Sequence, residues 1–306
     1  MKNRKFVLLI FLFISVLSAK EIIVEKTTYL HGDSDGAFFF PNYSHDGQSL
    51  FFTEEGYRGL WSFDLNTHEA KQLSHANGAG FHPLSLEDGS VIFRSDNYRR
   101  GRKYTALYRF HEQETNLLLK ETRFLASAGV REDKIITLAN RDPLVINTLD
   151  FKTEPISSSS IALINDQLSL QLLRNGALEE ITPLGKGNYI WGALSPLANQ
   201  IVFTQTGQGT YISDLEGKQL IELGEAHSPQ WSPDGQLIVY MKDLDDGNQY
   251  TASEIWVVTA DGTQSWMITN TSDRIEMYPQ WSPGGQKITY HTMGGEIFET
   301  SIRIVE

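Results

Sequence analysis

The chain has 306 residues, a formal net charge of −12 and no cysteine. Without thiols there is neither a disulfide framework nor a lipid-modified N-terminal cysteine, so stability must come from a buried core. The acidic balance argues against electrostatic binding of nucleic acid or of an anionic membrane surface, because the chain as a whole would be repelled.

Residues 1–19 read as a signal peptide: a basic start (Lys2, Arg4, Lys5), an apolar run from Phe6 to Leu17, then Ser18 and Ala19 before Lys20-Glu21. The run would rise only about 18 Å as a helix, against a hydrocarbon core of roughly 30 Å. Cleavage after Ser18 or Ala19 predicts a periplasmic or secreted protein, residues 20–306 forming one domain with no membrane span. It removes three cations and no anions, which takes the net charge from −12 to −15.

From there the chain repeats itself. The clearest copy, His227-Ser228-Pro229-Gln230-Trp231-Ser232-Pro233-Asp234-Gly235 followed by Leu237-Ile238-Val239-Tyr240, returns as Tyr278-Pro279-Gln280-Trp281-Ser282-Pro283-Gly284-Gly285 followed by Lys287-Ile288-Thr289-Tyr290. Each reads as a strand that opens on proline, where a missing N–H is tolerated, then a tight turn and a second strand. Partial copies stand at Pro41 to Gly47, Pro83 to Gly89 and Gly192 to Asn199. Asp46 and Asp88 are 42 residues apart, the period of a four-stranded propeller blade.

Between Phe124 and Pro183 the copies lose proline and tryptophan, yet turns at Glu132-Asp133 and Asn165-Asp166 still separate apolar strands; the second of these units is compressed enough to lack a strand. Ser157 to Ser160 reads as a loop between units. The last unit supplies three strands of its own, ending in Glu296–Glu299 and Ile302–Ile304, and Glu21–Thr27 is a strand without a unit. Pairing the two closes the ring and removes its exposed edges. The expectation is an all-β propeller of four-stranded blades, seven by turn count, closed by the N-terminal strand.

The Pro-x-Trp-Ser-Pro-Asp-Gly units resemble those of the TolB-like β-propellers. That resemblance implies a binding propeller with a protein partner and offers six blades as the alternative count. The separate N-terminal domain of the Tol–Pal protein has no counterpart in the roughly 20 residues between leader and first unit.

The residues just before each repeated proline should gather near one mouth of a central channel. Phe40, His82, Trp191, His227, Ser228 and Tyr278 are the binding candidates, since aromatic and imidazole groups around a mouth hold a peptide, a sugar or a partner loop. Asp243, Asp245 and Asp246 with Gly247 form a calcium-type loop that lacks the later glutamate of an EF-hand; Asp33-Ser34-Asp35-Gly36 is a poorer example. His75 and His82 have no identifiable third metal ligand. Tyr98 to Tyr104 is a basic cluster placed in a loop.

Gly32-Asp33-Ser34-Asp35-Gly36 has the letters of Gly-x-Ser-x-Gly, but no helical periodicity follows it as a nucleophile elbow requires; no His-Glu-x-x-His, phosphate loop or dinucleotide fingerprint occurs. The expected function is therefore non-enzymatic binding of a protein or peptide at the channel mouth, without a cofactor. The alternative is a lyase-type carbohydrate-active enzyme with a metal in the channel.

Overall fold

The Ser-Pro-Asp-Gly turn is held by its own side chains. Ser232 Oγ donates to Asp234 Oδ1 (2.6 Å) and accepts from the Leu237 N–H (2.9 Å), while the Gly235 N–H reaches Ser232 O (2.9 Å) at a positive φ of 70° that glycine adopts without strain. Ser44-His45-Asp46-Gly47 repeats this network. Ser195 and Ala198 build the same turn with Asn199 in place of aspartate.

The structure is a computed structural model that describes residues 20–32, 36–155 and 160–305. The leader, Asp33-Ser34-Asp35 and Ser157-Ser158-Ser159 lie outside the described residues.

In chain order the strands are β1 (Glu21–His31); β2 (Phe39–Tyr43), β3 (Ser49–Glu54), β4 (Arg58–Asp64) and β5 (Ala70–Asn77) of blade 1; and β6 (Leu84–Ser85), β7 (Val91–Arg99), β8 (Arg102–His111) and β9 (Glu114–Thr122) of blade 2. Blade 3 has β10 (Gly129–Arg131), β11 (Lys134–Ala139), β12 (Asp142–Asn147) and β13 (Thr153–Glu154); blade 4 has β14 (Ile161–Ile164), β15 (Leu170–Arg174) and β16 (Ala177–Ile181). Blade 5 holds β17 (Tyr189–Leu194), β18 (Gln200–Gln205), β19 (Gly209–Asp214) and β20 (Ile221–Gly224). Blade 6 holds β21 (His227–Trp231), β22 (Leu237–Asp245), β23 (Tyr250–Thr259) and β24 (Ser265–Met267). Blade 7 holds β25 (Glu276–Trp281), β26 (Lys287–Thr292) and β27 (Ile297–Val305), with β1 as its outer strand.

The fold is thus an all-β propeller of seven antiparallel sheets, with four strands in six of them and three in blade 4 among the described residues. The six-blade count does not apply. Among the described residues no helix is long and apolar enough to cross a membrane.

Closure follows from β1 pairing antiparallel with β27, from Glu21↔Val305 to His31↔Ile297. Two expectations need correction. The segments Glu296–Glu299 and Ile302–Ile304 fall in one strand that starts at Ile297, because the intervening Thr300 is buried and bonded to Thr27 and Tyr290 across the sheet. The basic cluster Tyr98 to Tyr104 is no loop: β7 and β8 continue through it to a two-residue turn at Arg100-Gly101.

The core lies between neighbouring blades. Leu237, Val239, Met241, Ile255 and Val257 of blade 6 pack with Trp281, Ile288 and Tyr290 of blade 7, and Ile22 of β1 joins that cluster. The signature tryptophans tie each inner strand to the one before it: Trp231 Nε1 donates to Ala193 O and Trp281 Nε1 to Gln230 O, both at 3.2 Å. A buried indole needs such an acceptor, so one residue supplies apolar area and a specific bond together.

Candidate functional site

At the repeated proline, or at Gly192 which stands in its place in β17, the inner strands break register. The break falls between Phe39 and Asn42 in β2, Ile190 and Ala193 in β17, His227 and Gln230 in β21, and Met277 and Gln280 in β25. At each break one residue sits in left-handed backbone: Phe40 (φ 54°), Trp191 (51°), Ser228 (49°) and Tyr278 (52°). His82 (φ 47°) does the same just before β6. Such a conformation costs a non-glycine residue about 1–3 kcal/mol, and β-bulges re-aim side chains. Five blades therefore carry strain at one equivalent place.

The five residues line a cavity of about 670 Å³ walled by segments from all seven inner-strand regions, which makes it the central channel. His227 is not in that wall. It stands at the rim, half-exposed, with Nδ1 2.5 Å from Oδ1 of the buried Asp243 and its ring 5.5 Å from Trp191. That carboxylate fixes the ring through Nδ1.

The mouth is uneven. Over blades 2, 1 and 7 the rings form a continuous arc: His82 on Phe81 (4.6 Å between centroids), Phe81 on Tyr57 (5.0 Å), Tyr57 stacked on Phe40 (4.6 Å), Phe40 edge-on to Tyr278 (4.7 Å), and Tyr278 stacked on His291 (5.5 Å). Trp191 and His227 make a second, smaller group. On the side of blades 3 and 4 the wall is Ser127, Ala128, Gly129 and Ile161 to Ile164, small and aliphatic.

Charge is distributed just as unevenly. Among the described residues no Asp or Glu lines the cavity, in a chain of net −12. Arg131, half-buried, crosses from blade 3 to blade 5 and donates to Leu194 O, Ser195 O and Pro196 O at 3.3, 2.7 and 3.1 Å. Burial lowers its pKa while Glu132 opposes the shift. Arg94 lies behind Phe81, 4.3 Å above the ring, and donates to Leu125 O (3.2 Å) and Ala126 O (3.0 Å).

His82 is open to the channel yet enclosed by the blades. Confinement, and then the Arg94 guanidinium, hold its pKa below the ordinary imidazole value, so it stays neutral. Burial, with smaller contributions from Tyr250, Tyr57 and Asp243, pushes the Tyr278 phenol up to about 12, which keeps its hydroxyl a donor.

No family model matches the chain, and no curated protein matches it. Solved structures of similar fold do exist. A putative TolB from Agrobacterium tumefaciens is 16% identical over 88% of this chain and 90% of its own, with a TM-score of 0.51. An oligogalacturonate lyase from Vibrio parahaemolyticus is 12% identical over 89% and 79%, with a TM-score of 0.49. TolB from Acinetobacter baumannii is 18% identical over 74% of this chain and 53% of its own, with a TM-score of 0.47, so this chain spans about half of that protein. At such identities the likeness is one of fold.

The metal candidates are engaged by other partners. Asp243 is engaged by His227, whereas Asp245 accepts from the Gly247 N–H and Asp246 from those of Asn248 and Gln249, each capping its own turn. His75 is on the exposed outer strand β5, away from His82 at the channel. Among the described residues no group of three or more His, Asp or Glu side chains is placed to hold a metal ion.

Sequence reasoning did not single out Tyr57, Arg94, Arg131 or His291. Tyr57 carried a signal, an aromatic in the short connection of blade 1 that ends level with Phe40. The other three act through contacts between blades that no local pattern announces.

Proposed function

We propose that this chain is an exported, non-enzymatic binding propeller that engages a protein or peptide over the mouth bounded by Phe40, His82, Trp191, His227, Ser228 and Tyr278. One observation carries the reading: equivalent positions of five blades hold a residue in strained backbone, and that residue faces the channel in each. A scaffold gains no stability from repeating such a cost, and strain of this kind concentrates where a surface is shaped for recognition. The aromatic arc offers rigid contact area at small entropic cost, the usual anchor of a protein interface. The basic, apolar and small-residue order of residues 1–19 supports export to the periplasm or beyond.

The lyase alternative has less support, since among the described residues no group of three or more His, Asp or Glu side chains is placed to hold a metal ion. No catalytic step is assigned to the site.

Capture from an envelope extract tests the proposal. Immobilised wild type is expected to retain a partner that the His82→Ala, His227→Ala, Tyr278→Ala triple variant loses by about tenfold or more, with both proteins folded by circular dichroism. Identical partners at equal yield from the two would remove the site.

A further inference from the structure

We propose that the tip of the blade 2 hairpin, Tyr98 to Tyr104, is a docking site for an acidic, extended peptide segment of a partner protein. This surface is distinct from the channel mouth and stands or falls separately from it.

The hairpin extends well past its blade. β6 pairs with β7 only at Val91 and Ile92, while β7 and β8 remain paired as far as Arg99↔Arg102. Continuing the β6 register puts Arg94 level with His82, and Arg100 six residues further on. At about 3.3 Å per residue the tip stands roughly 20 Å beyond the mouth. Tyr98 is 66% exposed there, and Asn97 to Arg100 and Arg102 are exposed as well. Among the described residues, the backbone of Asn97–Arg99 bonds to β8 alone, so one edge of β7 is free.

The charge at the tip is opposite to that of the chain. Arg99, Arg100, Arg102, Lys103 and Arg123 meet two carboxylates, Glu121 paired with Arg99 and Asp96 at 3.5 Å from Lys103. Five cations less two anions leaves a local excess of three positive charges on a protein of net −12. Arg99 and Arg102 are direct cross-strand partners, an arrangement of like charges that destabilises a hairpin. The guanidiniums are also held in place: Arg99 and Arg123 lie 4.9 and 5.0 Å from the centroid of the Tyr104 ring, and Arg123 Nη1 donates to Lys103 O at 2.9 Å.

A free strand edge flanked by pre-positioned arginine forks fits an extended peptide better than a glycan. The edge supplies main-chain hydrogen bonds, and the forks take alternate carboxylates.

Fluorescence anisotropy of a labelled peptide of about twelve residues alternating Glu and Val, beside its Gln–Val counterpart, tests the assignment on the full chain. The Glu peptide is expected to bind wild type about tenfold or more tightly than the Gln peptide, and to weaken as NaCl rises from about 50 to about 300 mM. The Arg100→Glu, Arg102→Glu variant, with a thermal unfolding curve matching wild type, is expected to lose that binding. The proposal is overturned by equal binding of the two peptides, by retention in the variant, or by no binding of the Glu peptide. Tighter binding of a heparin hexasaccharide would assign the tip to an anionic glycan. Salt-sensitive self-association that the variant loses would assign it to the acidic hairpin of a second copy. Either result overturns the peptide assignment.

Discussion

A chain that begins at residue 36, and so lacks β1, is expected not to fold cooperatively. β1 supplies the outer strand of blade 7 through nine register pairs, buries Ile22 against the blade 6 and blade 7 core, and places His31 among Phe38, Phe52 and Phe63 of blade 1. At roughly 1 kcal/mol net per ladder hydrogen bond and about 2 kcal/mol for a buried isoleucine, the loss is on the order of 5–10 kcal/mol. A whole domain is stable by only about 5–15 kcal/mol. The exposed edge of β27 would in addition template association. A permutant that carries residues 20–31 after Glu306 through a short glycine-rich turn should fold again, because Glu21 already pairs with Val305 as the ends of a hairpin would. Circular dichroism and size-exclusion chromatography read both outcomes. A truncated chain that melts like wild type would refute closure by β1.

The second large effect is expected on acidification. His291 is buried beneath the mouth, stacked on Tyr278 and edge-on to Phe40 at 5.1 Å; its Nδ1 lies 2.8 Å from Thr292 O, and its Nε2 has no partner. Burial lowers its pKa from 6.5 to about 4, against a smaller opposing effect of the Thr292 carbonyl. The unfolded chain then binds this proton more readily than the folded one. The stabilisation is complete above about pH 6.5 and is lost as pH falls toward 4. At 1.36 kcal/mol per pKa unit the loss is about 3 kcal/mol, or roughly 6–10 °C in Tm. His291→Asn, which can still donate to Thr292 O, should reduce the dependence of Tm on pH between those limits, leaving the share that His82 contributes. Parallel curves for wild type and variant would exclude His291 as the group responsible.

The architecture was legible where local chemistry dictates it. A Ser-Pro-Asp-Gly turn is specified by bonds among its own residues, and the apolar runs around Ile135 and Leu170 mark strands even in units that have lost proline and tryptophan. The two misreadings share a cause. Thr300 and Ser301 carry no apolar signal between the two segments they join, although Thr300 is bonded on both sides within the sheet. Tyr98 to Tyr104 looked like a loop because a hairpin beyond the body of the protein has no buried face and so no alternation. At the mouth, the pre-proline positions were visible as the places where the repeats differ. Arg131 was not, since its role depends on reaching three carbonyls more than sixty residues away, around a three-stranded blade.

The central claim is that the partner sits on the pre-proline mouth and not on the face of the Asp-Gly turns. Site-specific photo-crosslinking separates the two directly, with a benzophenone amino acid in place of Trp191 at the mouth or of Leu197, which is 70% exposed in the turn at the other end of the same hairpin. Irradiation in envelope extract is expected to yield a discrete protein adduct from position 191 and none from position 197. An adduct from 197 alone, or the same adduct from both, would contradict the account.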